Sequence, residues 1–98
     1  MDSQSFKKLT NKISNNLDEV SSNLEKLANG HGFSKDYAMN KLCEVDRLTT
    51  NSKNLIYRHN RNFSKTCKFY NVLDGLNQDL NKAQLKAYKL YIDLSQEN

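Results

Sequence analysis

Four side chains of this sequence could ligate a soft metal or serve nucleophilic chemistry: His31, Cys43, His59 and Cys67. Their separations of 12, 16 and 8 residues match no zinc pattern, in which ligands arrive as closely spaced pairs. A Cys-His nucleophile also needs a base in hydrogen-bond reach and a group that orients it, and no local signature supplies either. The reading is two part-buried thiols and two surface or loop histidines, with no metal and no cofactor.

The carboxylates Asp18, Glu19, Glu25, Asp74 and Asp79 fall on or near outward helical faces among basic residues. That is the patterning of a solvated surface, where each pair contributes about 0.2–0.5 kcal/mol. The Asn-Gly-His-Gly stretch at 29–32 is too short for a phosphate loop and runs into Phe33 with no Lys-Ser/Thr element behind it. No paired catalytic groups can be named, so the chain is expected to be non-enzymatic.

Charge is the one asymmetry. Between Asp46 and Asp74 there is no acidic residue, while Arg47, Lys53, Arg58, Arg61, Lys65 and Lys68 are all present. The last four surround the junction of the second and third helices, with Tyr57, His59, Phe63 and Tyr70 interleaved. Such a patch could contact phosphates, anionic headgroups or an acidic partner helix. A net charge of +4 over 98 residues is ordinary, and no nucleic-acid motif accompanies the patch, so a protein partner ranks above nucleic acid. A second candidate surface is the apolar set Leu85, Tyr88 and Ile92, beside Tyr91, on the side of the third helix opposite its main stripe. It reads either as a groove wall for a fourth helix or as a widened core.

Helices must position these residues. Apolar side chains at Phe6, Leu9, Ile13, Leu17, Val20, Leu24 and Leu27 step by three and four, the period of a helix and not of a strand. This first helix spans about 4–28, begins near Ser3 or Ser5, and stops at Asn29-Gly30, where glycine tolerates the left-handed conformation that ends helices. Ser34 caps a second helix, about 34–60, with Phe33 and Ala38 placed as a hydrophobic staple and Asp36 at the positive helix end. Its stripe runs Ala38, Leu42, Val45, Leu48 or Thr49, Ser52, then Leu55 or Ile56, so Thr49 and Ser52 imply a more polar seam midway. In the third helix, about 64–94, Phe69, Leu73, Leu76, Leu80, Ala83, Ala87, Leu90 and Leu94 keep one phase across Asp74-Gly75. A turn there would reset that phase, so one rod runs through, with Gly75 costing about 1 kcal/mol relative to Ala.

The expected fold is all-α: an antiparallel up-down-up three-helix bundle, left-handed, filling residues 1–98 as one domain. The absence of proline and the 27% charged content suit long amphipathic helices. No apolar run approaches the roughly 20 residues that span a bilayer, and the start lacks a secretory h-region, which argues for an intracellular protein. Two cysteines form no disulfide framework and fit a reduced compartment.

The text ISNNLDEVSSNLEKL in the first helix, KDYAMNKLCEVDRLTTNSKNL in the second and FSKTCKFYNVLDGLNQDLNKAQLKAYKLY in the third resembles the N-terminal Habc domain of syntaxins, in the endosomal or vacuolar branch of the Qa-SNAREs. Ile13, Ser14, Asn16 and Leu17 echo that family's first-helix pattern, Thr50, Lys53 and Leu55 its second, and Leu76, Leu80, Ala83 and Gln84 its third. The resemblance covers nearly the whole chain. It implies a regulatory domain in vesicle fusion, on the cytoplasmic face of an endosomal or vacuolar membrane, that controls access to a SNARE helix or recruits Sec1/Munc18-type, tethering or adaptor proteins. The SNARE heptads and membrane anchor of a full syntaxin are missing from these residues, so the resemblance implies an N-terminal domain, and a monomer is expected. Residues 2–6 lack the Arg of the short N-peptide through which some syntaxins engage Sec1/Munc18-type proteins. The rival readings are a small basic helical protein that binds nucleic acid, and a subunit of a helical oligomer.

Overall fold

Each of the three apolar stripes becomes one helix: α1 (Ser3–Asn29), α2 (Lys35–Asn60) and α3 (Lys68–Gln96). The computed structural model describes residues 3–30, 32–61 and 68–96; the expected helical start at 64–67 lies outside the described residues. The protein is an all-α three-helix bundle, a rod of 50 × 20 × 17 Å. α3 passes straight through Gly75, as the unbroken leucine phase requires.

Chain directions follow from which residues meet. Asn16 touches Ser52 across α1 and α2, Gln84 touches Thr49 across α2 and α3, and the rings of Phe6 and Phe69 stack at a centroid distance of 4.1 Å. Low numbers in α1 therefore lie beside high numbers in α2 and low numbers in α3. α1 and α3 run parallel, with α2 antiparallel to both.

The core has two apolar clusters. At one end Val20, Leu24, Leu42, Val45 and Ala83 are buried, with Leu17, Leu27, Met39, Leu48, Ala87, Leu90 and Leu94 packed around them. At the other, Ile13, Ile56, Leu73 and Leu80 are buried beneath Phe6, Leu9, Leu17 and Leu76. Thr49 and Ser52, both fully buried, stand on α2 between Val45 and Ile56. This is the polar seam that the α2 stripe implied. Of the two alternatives at each ambiguous step, Thr49 and Ile56 point inward, while Leu48 and Leu55 are half-buried at the flank.

The α1–α2 connection departs from expectation in one respect. Gly32, not Gly30, carries the positive φ of 84°. Gly30 ends α1 in another way, its N–H donating to Lys26 O at 2.8 Å. A β-carbon on Gly30 would lie 2.6 Å from that same carbonyl oxygen and would run into the Phe33 ring. The demand for glycine at 30 is thus close packing, and the left-handed demand falls two residues later. Phe33 in turn stacks on Tyr37 at 5.2 Å. Ser34 caps α2 as read: its backbone is extended and its Oγ accepts from the Tyr37 N–H at 3.1 Å.

Candidate functional site

Where two round rods lie side by side, a groove runs along their seam, and the side chains flanking the buried stripe decide its character. Between α2 and α3 the flank of α2 supplies Met39, Cys43 and Asp46, and the flank of α3 supplies Asn81, Leu85, Tyr88 and Tyr91. Leu42, Thr49, Gln84 and Ala87 complete a groove of about 720 Å³. On both helices the lining recurs at three- and four-residue steps, so the groove runs lengthwise. Its apolar rim is open to solvent: Leu85 and Tyr88 are each 62% exposed and Tyr91 is 47% exposed. These three large side chains share one groove, and a contiguous exposed apolar surface of this kind marks recognition more often than an isolated residue does.

One end of this groove rests on the polar seam. Gln84 Nε2 donates to Thr49 Oγ1 at 3.3 Å, and Lys53 Nζ donates to Gln84 Oε1 at 3.0 Å. Thr49 Oγ1 lies 3.0 Å from both Val45 O and Asp46 O, to which it donates. The Lys53 ammonium is thereby tied to α3 through an amide that itself reaches the core. On the far side of α2, Asn16 Nδ2 donates to Ser52 Oγ at 3.1 Å. The two buried hydroxyls of α2 are therefore each engaged by an amide from a different neighbouring helix.

Of the basic residues on α2, Arg47 and Arg58 share one seam while Lys53 turns to another. Arg47 and Arg58 line a groove of about 440 Å³ between α1 and α2, together with Lys12, Asn16, Leu48, Asn51, Asn54 and Leu55. Lys53 faces the other way, toward Gln84 of α3. Arg61 is the exposed C-cap of α2, Lys68 is exposed at the start of α3, and Lys65 lies outside the described residues. Residues separated by four and three along α2 share a face, and residues out of that register do not, so a run of like charge in sequence is divided between two seams. Lys12, from a helix far away in sequence, joins Arg47 and Arg58; only the pairing of α1 with α2 brings it there.

Leu85 and Tyr88 come together as read, whereas Ile92 is half-buried and outside the groove lining, where Tyr91 stands instead. Met39 and Cys43 were not singled out as surface partners for them. The signal was present in their four-residue spacing beside the core positions Ala38 and Leu42. Of the soft ligands, Cys43 is exposed in the α2–α3 groove and not part-buried as expected, because it stands on the flank of α2 beside the core position Leu42, and His59 is half-buried; His31 and Cys67 lie outside the described residues. Among the described residues no three His, Cys, Asp or Glu side chains gather in metal-binding range, and no helix is long and apolar enough to cross a membrane.

A third seam, between α1 and α3, holds a groove of about 650 Å³ in which Lys82, Lys86 and Lys89 share the lining with Glu25 and Asp79. Its charges are mixed, whereas the described residues that line the α1–α2 groove include no carboxylate. The chain matches no protein-family model, no curated protein and no solved structure.

Proposed function

We propose that this protein is a non-enzymatic interaction domain that docks an amphipathic helix lengthwise in the α2–α3 groove. The observation that carries the reading is the row of exposed Leu85, Tyr88 and Tyr91 facing Met39 and Cys43 along one seam. A helix laid there turns a three-helix bundle into a four-helix one, with its apolar stripe covering these side chains as i, i+3 and i+4 anchors. The occupant we propose, in keeping with the Habc-like text of the three helices, is a SNARE-type heptad helix. The biological role is that of a syntaxin-like regulatory domain that governs when such a helix is available for membrane fusion, or that presents the same face to a trafficking factor.

The test is a titration of the 98-residue chain with a synthetic Qa-SNARE heptad peptide, followed by amide chemical shifts. The proposal expects shifts concentrated at Met39, Cys43, Leu85, Tyr88 and Tyr91. It also expects an affinity that changes little with ionic strength, because apolar burial rather than charge drives the contact. Leu85→Glu combined with Tyr88→Glu should abolish binding while leaving the helical content intact. Shifts confined to another seam, or no binding by the wild-type chain, would overturn the docking site.

A further inference from the structure

The α1–α2 groove has a composition that the helix-docking function does not use. Its lining contains Lys12, Arg47 and Arg58 as cations, Asn16, Asn51 and Asn54 as amides, and Leu48 and Leu55 as its apolar part, with no carboxylate among the described residues. Along α2 the polar members fall at 47, 51, 54 and 58, steps of four, three and four, which set Arg, Asn, Asn and Arg on one face. Lys12 and Asn16 face them from α1, one helical turn apart. The Asn16 to Ser52 hydrogen bond at 3.1 Å fixes the register of the two helices. With α1 and α2 antiparallel, that register puts Lys12 about level with Ile56, near Arg58, and leaves Arg47 toward the other end of the recess.

We propose that this groove binds a compact anion carrying several phosphate groups. Guanidinium groups supply paired N–H donors in a fork that matches phosphate oxygens, an ammonium supplies a point charge, and amide NH2 groups add neutral donors between them. Arg47 and Arg58 both line the recess and are separated by about 16 Å of helix rise, a span suited to a ligand of several phosphates, whereas one isolated phosphate would engage only one end. The volume of about 440 Å³ lies in the range of small-molecule sites, about 300–1,000 Å³. The sign of the lining makes the selection: the α1–α3 groove has three lysines but places Glu25 and Asp79 among them, and a multiply charged anion entering there meets repulsion as well as attraction.

Two sources offer this chemistry, a soluble inositol polyphosphate and the projecting headgroup of a phosphoinositide, and the experiment separates them. The 98-residue chain is titrated with inositol hexakisphosphate and, in parallel, with phosphatidylcholine vesicles containing phosphatidylinositol bisphosphate. Amide shifts on the wild-type chain are expected at Lys12, Asn16, Arg47, Asn51, Asn54 and Arg58. Lys12→Gln with Arg47→Gln, both exposed positions, should weaken binding by about tenfold or more, and binding should fall steeply with added salt. Lys82→Gln with Lys86→Gln removes the same charge from the α1–α3 seam and should change affinity less than about threefold. Preference for vesicles over the soluble probe assigns the headgroup as source; the reverse assigns the soluble compound. Failure of both probes to bind, shifts spread over lysines of all three helices, or equal losses in the two double variants would overturn the site. So would a single-stranded RNA of equal charge that displaces both probes. Because the wild-type shift map needs no variant, the assignment stays testable even if a substitution impairs folding.

Discussion

Gln84 of α3 donates through Nε2 to the hydroxyl of Thr49 of α2 at 3.3 Å, although Thr49 has no exposed surface at all. A polar side chain reaching from a groove rim into the core, in a molecule with only two buried polar residues among those described, ties the proposed docking surface to the packing beneath it. An unmet buried donor or acceptor costs about 1–3 kcal/mol, whereas removing both partners together can be nearly neutral.

That asymmetry gives a measurable coupling. Thr49→Val should destabilise the bundle by about 0.5–1.5 kcal/mol by removing the acceptor of the Gln84 Nε2 donor. Gln84→Leu should cost a similar amount, because it strands Lys53 Nζ as well as the Thr49 oxygen. The double variant is expected to cost less than the sum of the two, with an interaction energy of about 0.5 kcal/mol or more in chemical denaturation. Strict additivity would show that the contact contributes nothing to stability.

Two leucines on α3 separate core from surface. Leu80 is fully buried while Leu85, five residues on, is 62% exposed. Leu80→Ala should cost about 2–5 kcal/mol, a large part of the roughly 5–15 kcal/mol that holds a domain together. Leu85→Ala should stay within about 0.5 kcal/mol and act on partner binding instead. Comparable losses at both positions in urea titrations would mean that the Leu85 side is covered in solution.

Gly75 is a glycine that the fold does not require. It sits inside α3 with negative φ, and a β-carbon there would meet nothing within 4 Å. Gly75→Ala should therefore stabilise the protein by about 1 kcal/mol, which for a domain of this size is a rise of about 4–8 °C in Tm. Gly30→Ala should do the opposite, since the added carbon would press on Lys26 O and the Phe33 ring. A fall in Tm on Gly75→Ala would refute the reading of α3 as a rod whose outer face is open at that point.

The α2 cap makes a separate prediction. Ser34 Oγ accepts from the Tyr37 N–H at 3.1 Å, so Ser34→Ala should cost about 0.5–2 kcal/mol and Ser34→Gly only a few tenths. Thermal melts of the two variants check this ordering. Equal losses would locate the cap's contribution in the backbone turn rather than in the hydroxyl.

Sequence alone determined the three rods, because helical periodicity is a local property: side chains at three- and four-residue steps share a face whatever packs against them. The leucine phase through Gly75, the Ser34 cap and the polar break at Thr49 and Ser52 were all legible on that basis. Tertiary structure decided everything that depends on which face meets which neighbour. It turned Thr49 and Ile56 inward where Leu48 and Leu55 fitted the period equally well. It split the basic run, sending Lys53 to Gln84 of α3 and grouping Arg47 and Arg58 with Lys12 of α1. It also put Tyr91 rather than Ile92 beside Tyr88 in the α2–α3 groove. A stripe states where a helix is apolar, but a groove belongs to two helices at once, and its lining is fixed only by their relative rotation and register.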